Sequence, residues 1–376
     1  MATSYSSLIK PIQEAIPKLG AFNVMLGFDG TVDVICKPVE SREHSGEEFT
    51  AFGKMRDFGN RVVEADGKSA MIEIVKQREK IGGNGPIMAR ALAQSNVAVD
   101  YIGPLGQPTL HPVYEEFARR IKVHSIAQPA VTHALEFPNG KLMLASISSY
   151  EDVTADRLDA QIGKETMAAL IEKSQLCCLL NWTCLPGMNS ILRWHLETLL
   201  PTLGKSNERT FFFDLTDPSM RSGEDLLEVL DLIGQFETFG RVTLGMNLNE
   251  AQLVSRALGL PESGPEKKSL QQAQVAIREK LGIHTAMAHH TDFAACSTPE
   301  GSWAVDGPHT EFPVITTGAG DHLNAGFCLA QLLKFSPEDS LKLSVLFSGY
   351  YVRTALSPNL EDILEFIPDL ESSSTK

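Results

Sequence analysis

The sequence is poor in features that would place it in an oxidising compartment, in a membrane or on nucleic acid. Its 376 residues include six cysteines, Cys36, Cys177, Cys178, Cys184, Cys296 and Cys328. None forms a Cys-x-x-Cys pair or has the Cys/His spacing of a zinc site, and most lie in apolar runs, so they read as reduced core residues. Nowhere do eighteen apolar residues run together, and Ser4, Ser6 and Ser7 ahead of an amphipathic stretch at 8–19 lack the apolar region of a signal peptide. A cytoplasmic protein is expected. Basic residues are also short, 33 Lys and Arg against 47 Asp and Glu, for a formal net charge of -14. That balance disfavours nucleic acid and anionic membranes as partners, while leaving room for a local basic pocket. There is no internal repeat and no low-complexity tract.

What is present is the composition of an ordinary α/β enzyme, 43% hydrophobic and 21% charged. From residue 165 helix and strand alternate: a helix to 173, a strand at 176–181, a helix at 188–200, a strand at 210–215, a helix at 224–236 and a strand at 241–246. Such alternation predicts a parallel sheet covered on both faces. Upstream, the apolar run 21–28 reads as a buried first strand and 97–103 as another, with a helix at 111–120. The segment 38–80 is polar and too long for a plain connection, so it reads as a lid or added lobe with a helix at 69–79. The alternating run 134–147, broken at Pro138-Asn139-Gly140, predicts a hairpin that completes a lid sheet with a strand at 31–39. Downstream come a helix at 251–258, a charged loop, a helix at 271–281, strands at 285–289, 293–297 and 302–305, and helices at 337–354 and 359–367. The tail 371–376 reads as disordered.

Three stretches carry chemistry. Residues 312–317, Phe-Pro-Val-Ile-Thr-Thr, read as a strand running into Gly318-Ala319-Gly320-Asp321, which opens an apolar helix. Small residues leave the amides of 318–321 unshielded at a helix start, where an anion such as phosphate can settle. Asp321 would repel that anion unless it took a proton from an attacking hydroxyl; capping is the plainer role for such an aspartate. Ile81-Gly82-Gly83-Asn84 precedes an alanine-rich helix, and there the glycines admit a ligand while Asn84 offers both donor and acceptor. Taken alone it is a glycine turn. Asn247 and Glu250, three apart at another helix start, are close to a capping box and also supply the hard oxygens magnesium requires. Asp33 follows the first strand at the edge where open α/β sheets bind ligands, although turn aspartates are common in glycine-rich loops. His289 and His290 point to opposite faces of a strand and lack a third ligand, so no metal is assigned to them.

In this order and spacing the stretches resemble the signatures of the ribokinase-like (PfkB) carbohydrate kinases and span most of the chain. The resemblance implies a single domain over 1–376: a three-layer α/β/α sandwich with a mostly parallel central sheet and a small β-sheet lid from about 31–80 and 124–148. It implies that Asp321 is the catalytic base and that Gly318, Ala319 and Gly320 form the anion hole. Asp33, Gly82, Gly83 and Asn84 would bind the sugar. Asn247, Glu250 and Thr317 would serve the nucleotide end, Glu250 organising Mg²⁺ through water. Two positions depart from the family pattern: Ile315 stands where an aspartate is usual, and Leu323 where an aromatic is. The expected function is ATP-dependent phosphorylation of a sugar hydroxyl with Mg²⁺, a monovalent cation such as K⁺ belonging to the same set of cofactors. Lids of this family often pair into homodimers. The alternatives are an ADP-dependent sugar kinase, suggested by the long 38–80 segment and by Gly27-Phe28-Asp29; a nucleoside kinase; and a catalytically silent ligand-binding protein, suggested by Ile315 and Leu323.

Overall fold

The computed structural model describes residues 3–43 and 48–373. Its strands, in chain order, are β1 (Asn23–Gly27), β2 (Thr31–Ser41), β3 (Thr50–Ala51), β4 (Ile74–Gly82), β5 (Ala98–Gly103), β6 (Lys122–Ser125), β7 (Ala130–Phe137), β8 (Gly140–Ser146), β9 (Leu176–Leu180), β10 (Thr210–Asp214), β11 (Arg241–Asn247), β12 (Thr285–His289), β13 (Phe293–Thr298) and β14 (Gly301–Asp306). The large sheet runs β14-β13-β12-β11-β10-β9-β1-β5-β6. It is parallel except at β13 and β14, which pair antiparallel at one edge.

The central strands are apolar throughout because both of their faces are buried. In β9, Leu176, Cys178 and Leu180 join the core on one side of the sheet, while Cys177 and Leu179 join the core on the other. In β10, Phe212 faces one core and Phe211 and Phe213 the other. Period-two alternation with no polar face requires helices on both sides. One side is covered by the N-terminal turns and by the helices Asn84–Gln94, Ala319–Leu332, Pro337–Thr354 and Leu360–Ser373; the other by the helices between residues 155 and 281. This is the expected three-layer sandwich.

The smaller sheet is the lid. In it β2 pairs antiparallel with β4 and parallel with β7, and β7 and β8 form the predicted hairpin. The strand β6 belongs instead to the large sheet, beside β5.

Four local expectations are corrected. Residues 69–79 contain no helix: Ile74–Gly82 is β4, whose Lys, Gln, Arg and Glu favour a helix in isolation but whose backbone is claimed by β2. The lid's helix lies earlier, at Met55–Val63. Residues 312–317 form no strand: Pro313 lacks an N–H, Val314 donates its own to the carbonyl of Val352, a helix residue, and Phe312 is 84% exposed. The expected 111–120 helix is two 3-10 turns, Pro112–Tyr114 and Phe117–Arg119. Finally, the helix Leu360–Ser373 continues into the expected disordered tail, where Glu371 accepts hydrogen bonds from the Ser4 hydroxyl and the Tyr5 and Ser6 amides. The rest of that tail, 374–376, lies outside the described residues.

Candidate active site

The chain leaves β1 in one direction, to β5 and β6, and later returns to the other side of β1 at β9 before continuing to β10, β11 and β12. The strand order therefore reverses at β1, and the crevice beyond the carboxyl ends of the strands there is where a doubly wound sheet binds ligands. Polar residues of the central strand ends collect at that edge: Asp29 after β1, Asn181 after β9, Asp214 closing β10, and Asn247 with Glu250 at β11.

Asp29 is fully buried. Its Oδ1 accepts from the Gly85 amide and the Tyr101 hydroxyl, each at 3.0 Å, and its Oδ2 accepts from Asn181 Nδ2 at 2.8 Å. This carboxylate explains part of the glycine signature. A Cβ on Gly83 would stand 2.6 Å from Asp29 Oδ2, and one on Gly85 would strike both Asp29 Oδ1 and the Tyr101 hydroxyl. Gly82 meets the other carboxylate, since a Cβ there would lie 2.6 Å from Asp33 Cγ. Asp33 itself belongs to β2 in the lid, opposite Lys80 of β4, whose Nζ is 3.8 Å from Asp33 Oδ2. Burial raises the Asp33 pKa, and the nearby Lys80 and Lys141 act against that rise.

Asp321 is in the first turn of the helix Ala319–Leu332, with Gly318 as its N-cap at φ 92°. The Asn84 side chain stands close to its carboxyl and favours the charged form. The short stretch 82–84 therefore packs on Asp33 at one end and comes close to Asp321 at the other. Burial, and then the charges of Asp214, Asp29 and Glu250, hold the Asp321 pKa well above the usual carboxylate range. The residue still keeps part of its surface open. The Ala319 amide donates to Thr316 O at 3.1 Å, whereas Gly320 and Asp321 occupy a first turn that has no helical carbonyl for their amides. The loop is held from behind. The Tyr351 hydroxyl donates to Thr317 O at 3.0 Å, and His322 Nδ1 donates to Gly318 O at 2.7 Å. His322 stacks on Tyr351, and its pKa is pushed down to about 4 by burial, so its Nε2 accepts from the Ser357 hydroxyl.

Asn247 and Glu250 form a complete capping box. Asn247 Oδ1 accepts from the Glu250 amide, and the two Glu250 oxygens accept from the Asn247 amide and from its Nδ2. Burial, followed by the Asp214 charge, raises the Glu250 pKa to about 8. Among the described residues, no three His, Cys, Asp or Glu side chains stand close enough to hold a metal ion by themselves. The donor set nevertheless fits magnesium bound through water. Beside burial, the Asp29 charge raises the Asp214 pKa, the Asp214 charge raises that of Glu250, and all three charges raise that of Asp321, and no lysine or arginine figures among the groups offsetting them. Hard oxygens with uncompensated charge suit a divalent cation that keeps most of its waters. His290 stacks on Phe293 and lies beside Asp292, while His289 is next to Gly320.

Sequence reasoning gives no role to Asp29, Asn181 or Asn324. Asp29 sits in Gly-Phe-Asp-Gly directly after a buried strand, and Asn324 interrupts an apolar helix three residues after Asp321. Those are the available signals. Asp214 stands out in the sequence only as a strand-end residue on the ligand edge.

Comparison with known proteins agrees with this architecture. A ketohexokinase from Haloferax volcanii is 27% identical over 358 residues, covering 94% of this chain and 93% of that protein. A carbohydrate kinase from Agrobacterium tumefaciens superposes with a TM-score of 0.62 at 15% identity, covering 93% of this chain and 97% of its own. An Arabidopsis thaliana ribokinase solved with ribose and ATP does so with a TM-score of 0.62 at 15% identity, covering 92% and 98%. The model of the prokaryotic ketohexokinase family matches residues 4–370, and on that ground the chain belongs to this family: it is a carbohydrate kinase with a ribokinase-like fold.

Proposed function

We propose that the protein transfers the terminal phosphoryl group of ATP to a hydroxyl of a ketohexose. The observation that carries this reading is the nearness of Asp321 to the glycine signature, because Asn84 stands close to the carboxyl while Gly82 packs on Asp33. Asp33, Asn84 and the backbone of Gly82 and Gly83 hold the sugar. Asp321 takes the proton of the attacking alcohol, and its raised pKa makes it a stronger base once ionised. The loop amides from Gly318 to Asp321 face the phosphoryl group in transfer, with those of Gly320 and Asp321 the least committed. Thr317, Asn247 and Glu250 serve the nucleotide end. Asn247 and Glu250 would hold magnesium through water, and when bound it supplies neutralisation of phosphate charge. The ketohexose follows from the name of the Haloferax relative, and ATP from the ribokinase solved with it. Unpaired cysteines, all buried but Cys184, fit a cytoplasmic enzyme.

Fructose offered with ATP and with ADP, side by side, tests the donor and the acceptor together. Product with ATP is expected; product with ADP alone would move the protein to the ADP-dependent class. Asp321→Asn should lower turnover by about two to four orders of magnitude with sugar affinity nearly intact. Undiminished turnover would remove Asp321 from the role of base.

A further inference from the structure

Asp214 closes β10, and its carboxylate is buried. Its Oδ1 accepts from the Thr216 amide at 2.8 Å, and its Oδ2 accepts from Asn324 Nδ2 at 2.7 Å. Asn324 is in the same helix as Asp321, three residues on, so the two side chains lie on neighbouring positions of one helix face. Its amide is seated across two strands. Asp214 is in register with Gly245 of β11, and a Cβ on Gly245 would stand 3.3 Å from Asn324 Oδ1.

Stability alone is a poor reason for this arrangement. Asn324 is 3% exposed among buried apolar neighbours, and its Oδ1 has no hydrogen-bond partner. Burying a carboxylate and a half-satisfied amide costs more than burying an apolar pair of similar volume. What the pair does provide is a tether, fixed at both ends, between the sheet edge and the helix turn that carries the base.

We propose that Asp214 and Asn324 form a clamp that positions Asp321 for proton abstraction. The inference rests on Asp321 being the base. The clamp fixes how far the helix start reaches over the sheet edge, and with it the distance from the Asp321 carboxyl to an acceptor hydroxyl. A displacement of about 1 Å at such a point is enough to cost about a hundredfold in rate. Both members are positioning residues.

The test exchanges the two ends. Asn324→Asp sets two carboxylates against each other. The double variant Asp214→Asn with Asn324→Asp rebuilds the bond with its roles reversed, because the amide introduced on the strand can accept from the Thr216 N–H and donate to the carboxylate introduced on the helix. For Asn324→Asp, kcat should fall about a hundredfold while the KM for fructose stays within about threefold; in the double variant kcat should recover to within about tenfold of the parent enzyme. Thermal melts run alongside identify the folded fraction. The clamp is refuted if folded Asn324→Asp turns over at the parent rate, or if the folded exchange variant recovers nothing. It is also refuted if the effect falls on melting temperature alone, which is what a purely structural pair would give. Asp321→Asn, assayed in parallel, separates the two readings: a dead Asp321→Asn beside a fully active Asn324→Asp removes the clamp only, while an active Asp321→Asn removes the base itself.

Discussion

The body and the lid bury their carboxylates in different ways. In the body, Asp29 and Asp214 are held by neutral donors: backbone amides, the Tyr101 hydroxyl and the amides of Asn181 and Asn324. In the lid, Asp33 faces the ammonium groups of Lys80 and Lys141. The packing differs in the same sense. Strand β9 is buried along its whole length, whereas most of β4 and β8 is exposed and the helix Met55–Val63 buries no residue. Neutral donors in a dry, close-packed site fix a carboxylate's position but leave its charge unbalanced, so the charge waits for a ligand. A lysine on an open strand balances charge but fixes position loosely. The body sets geometry and the lid tunes occupancy.

If that division holds, the largest effect should come from filling the space the body reserves around Asp29. Gly85→Ala puts a methyl group onto the Asp29 carboxylate and the Tyr101 hydroxyl. A loss of about 3 kcal/mol is expected from overpacking, read by denaturant melts together with turnover; a variant as stable as the parent would show that the body tolerates strain as the lid does.

A smaller effect is expected at Lys80. Its side chain is 31% exposed, and an ion pair of this kind is worth at most about 1 kcal/mol, so Lys80→Met should raise the fructose KM by up to about fivefold without changing the fold. The sign with pH is fixed. Lys80 pulls the Asp33 pKa down, so removing it lets the carboxyl protonate at a higher pH, and the rise in KM on the acid side should move upward. An unmoved profile would mean that Asp33 does not use its charge in binding.

The smallest effect belongs to the lid strand β8, where Met143 and Leu144, on opposite faces of the strand, are 44% and 50% exposed. Changing both to serine should alter the stability of a monomer by no more than about 0.5 kcal/mol each. Sedimentation of the same variant reports on pairing through the lid, since a shift from dimer to monomer would place the contact at that strand.

Much of the body was legible because its strands are apolar on both faces and its helices on one, patterns that survive without knowledge of the partners. The candidate site was legible where glycine, asparagine and aspartate cluster at a helix start, as at Gly82-Gly83-Asn84 and Gly318 to Asp321. It was illegible where the signal was a single residue. Asp29 had no assigned role in the sequence, because Asn181, which donates to it, stands 152 positions away.

The order of strands and helices from β9 onward, the hairpin at Pro138-Asn139 and the candidacy of Asp33, Asn84, Glu250 and Asp321 are consequences of local sequence, since periodicity and turn chemistry act over a few residues. That Ile74–Gly82 is a strand, that 312–317 is not, and that Asp214 grips the helix of Asp321 were decided by tertiary structure. In each case the deciding hydrogen bond runs to a segment distant along the chain, β2, the helix Pro337–Thr354 or Asn324, and no local pattern records which distant partner will arrive.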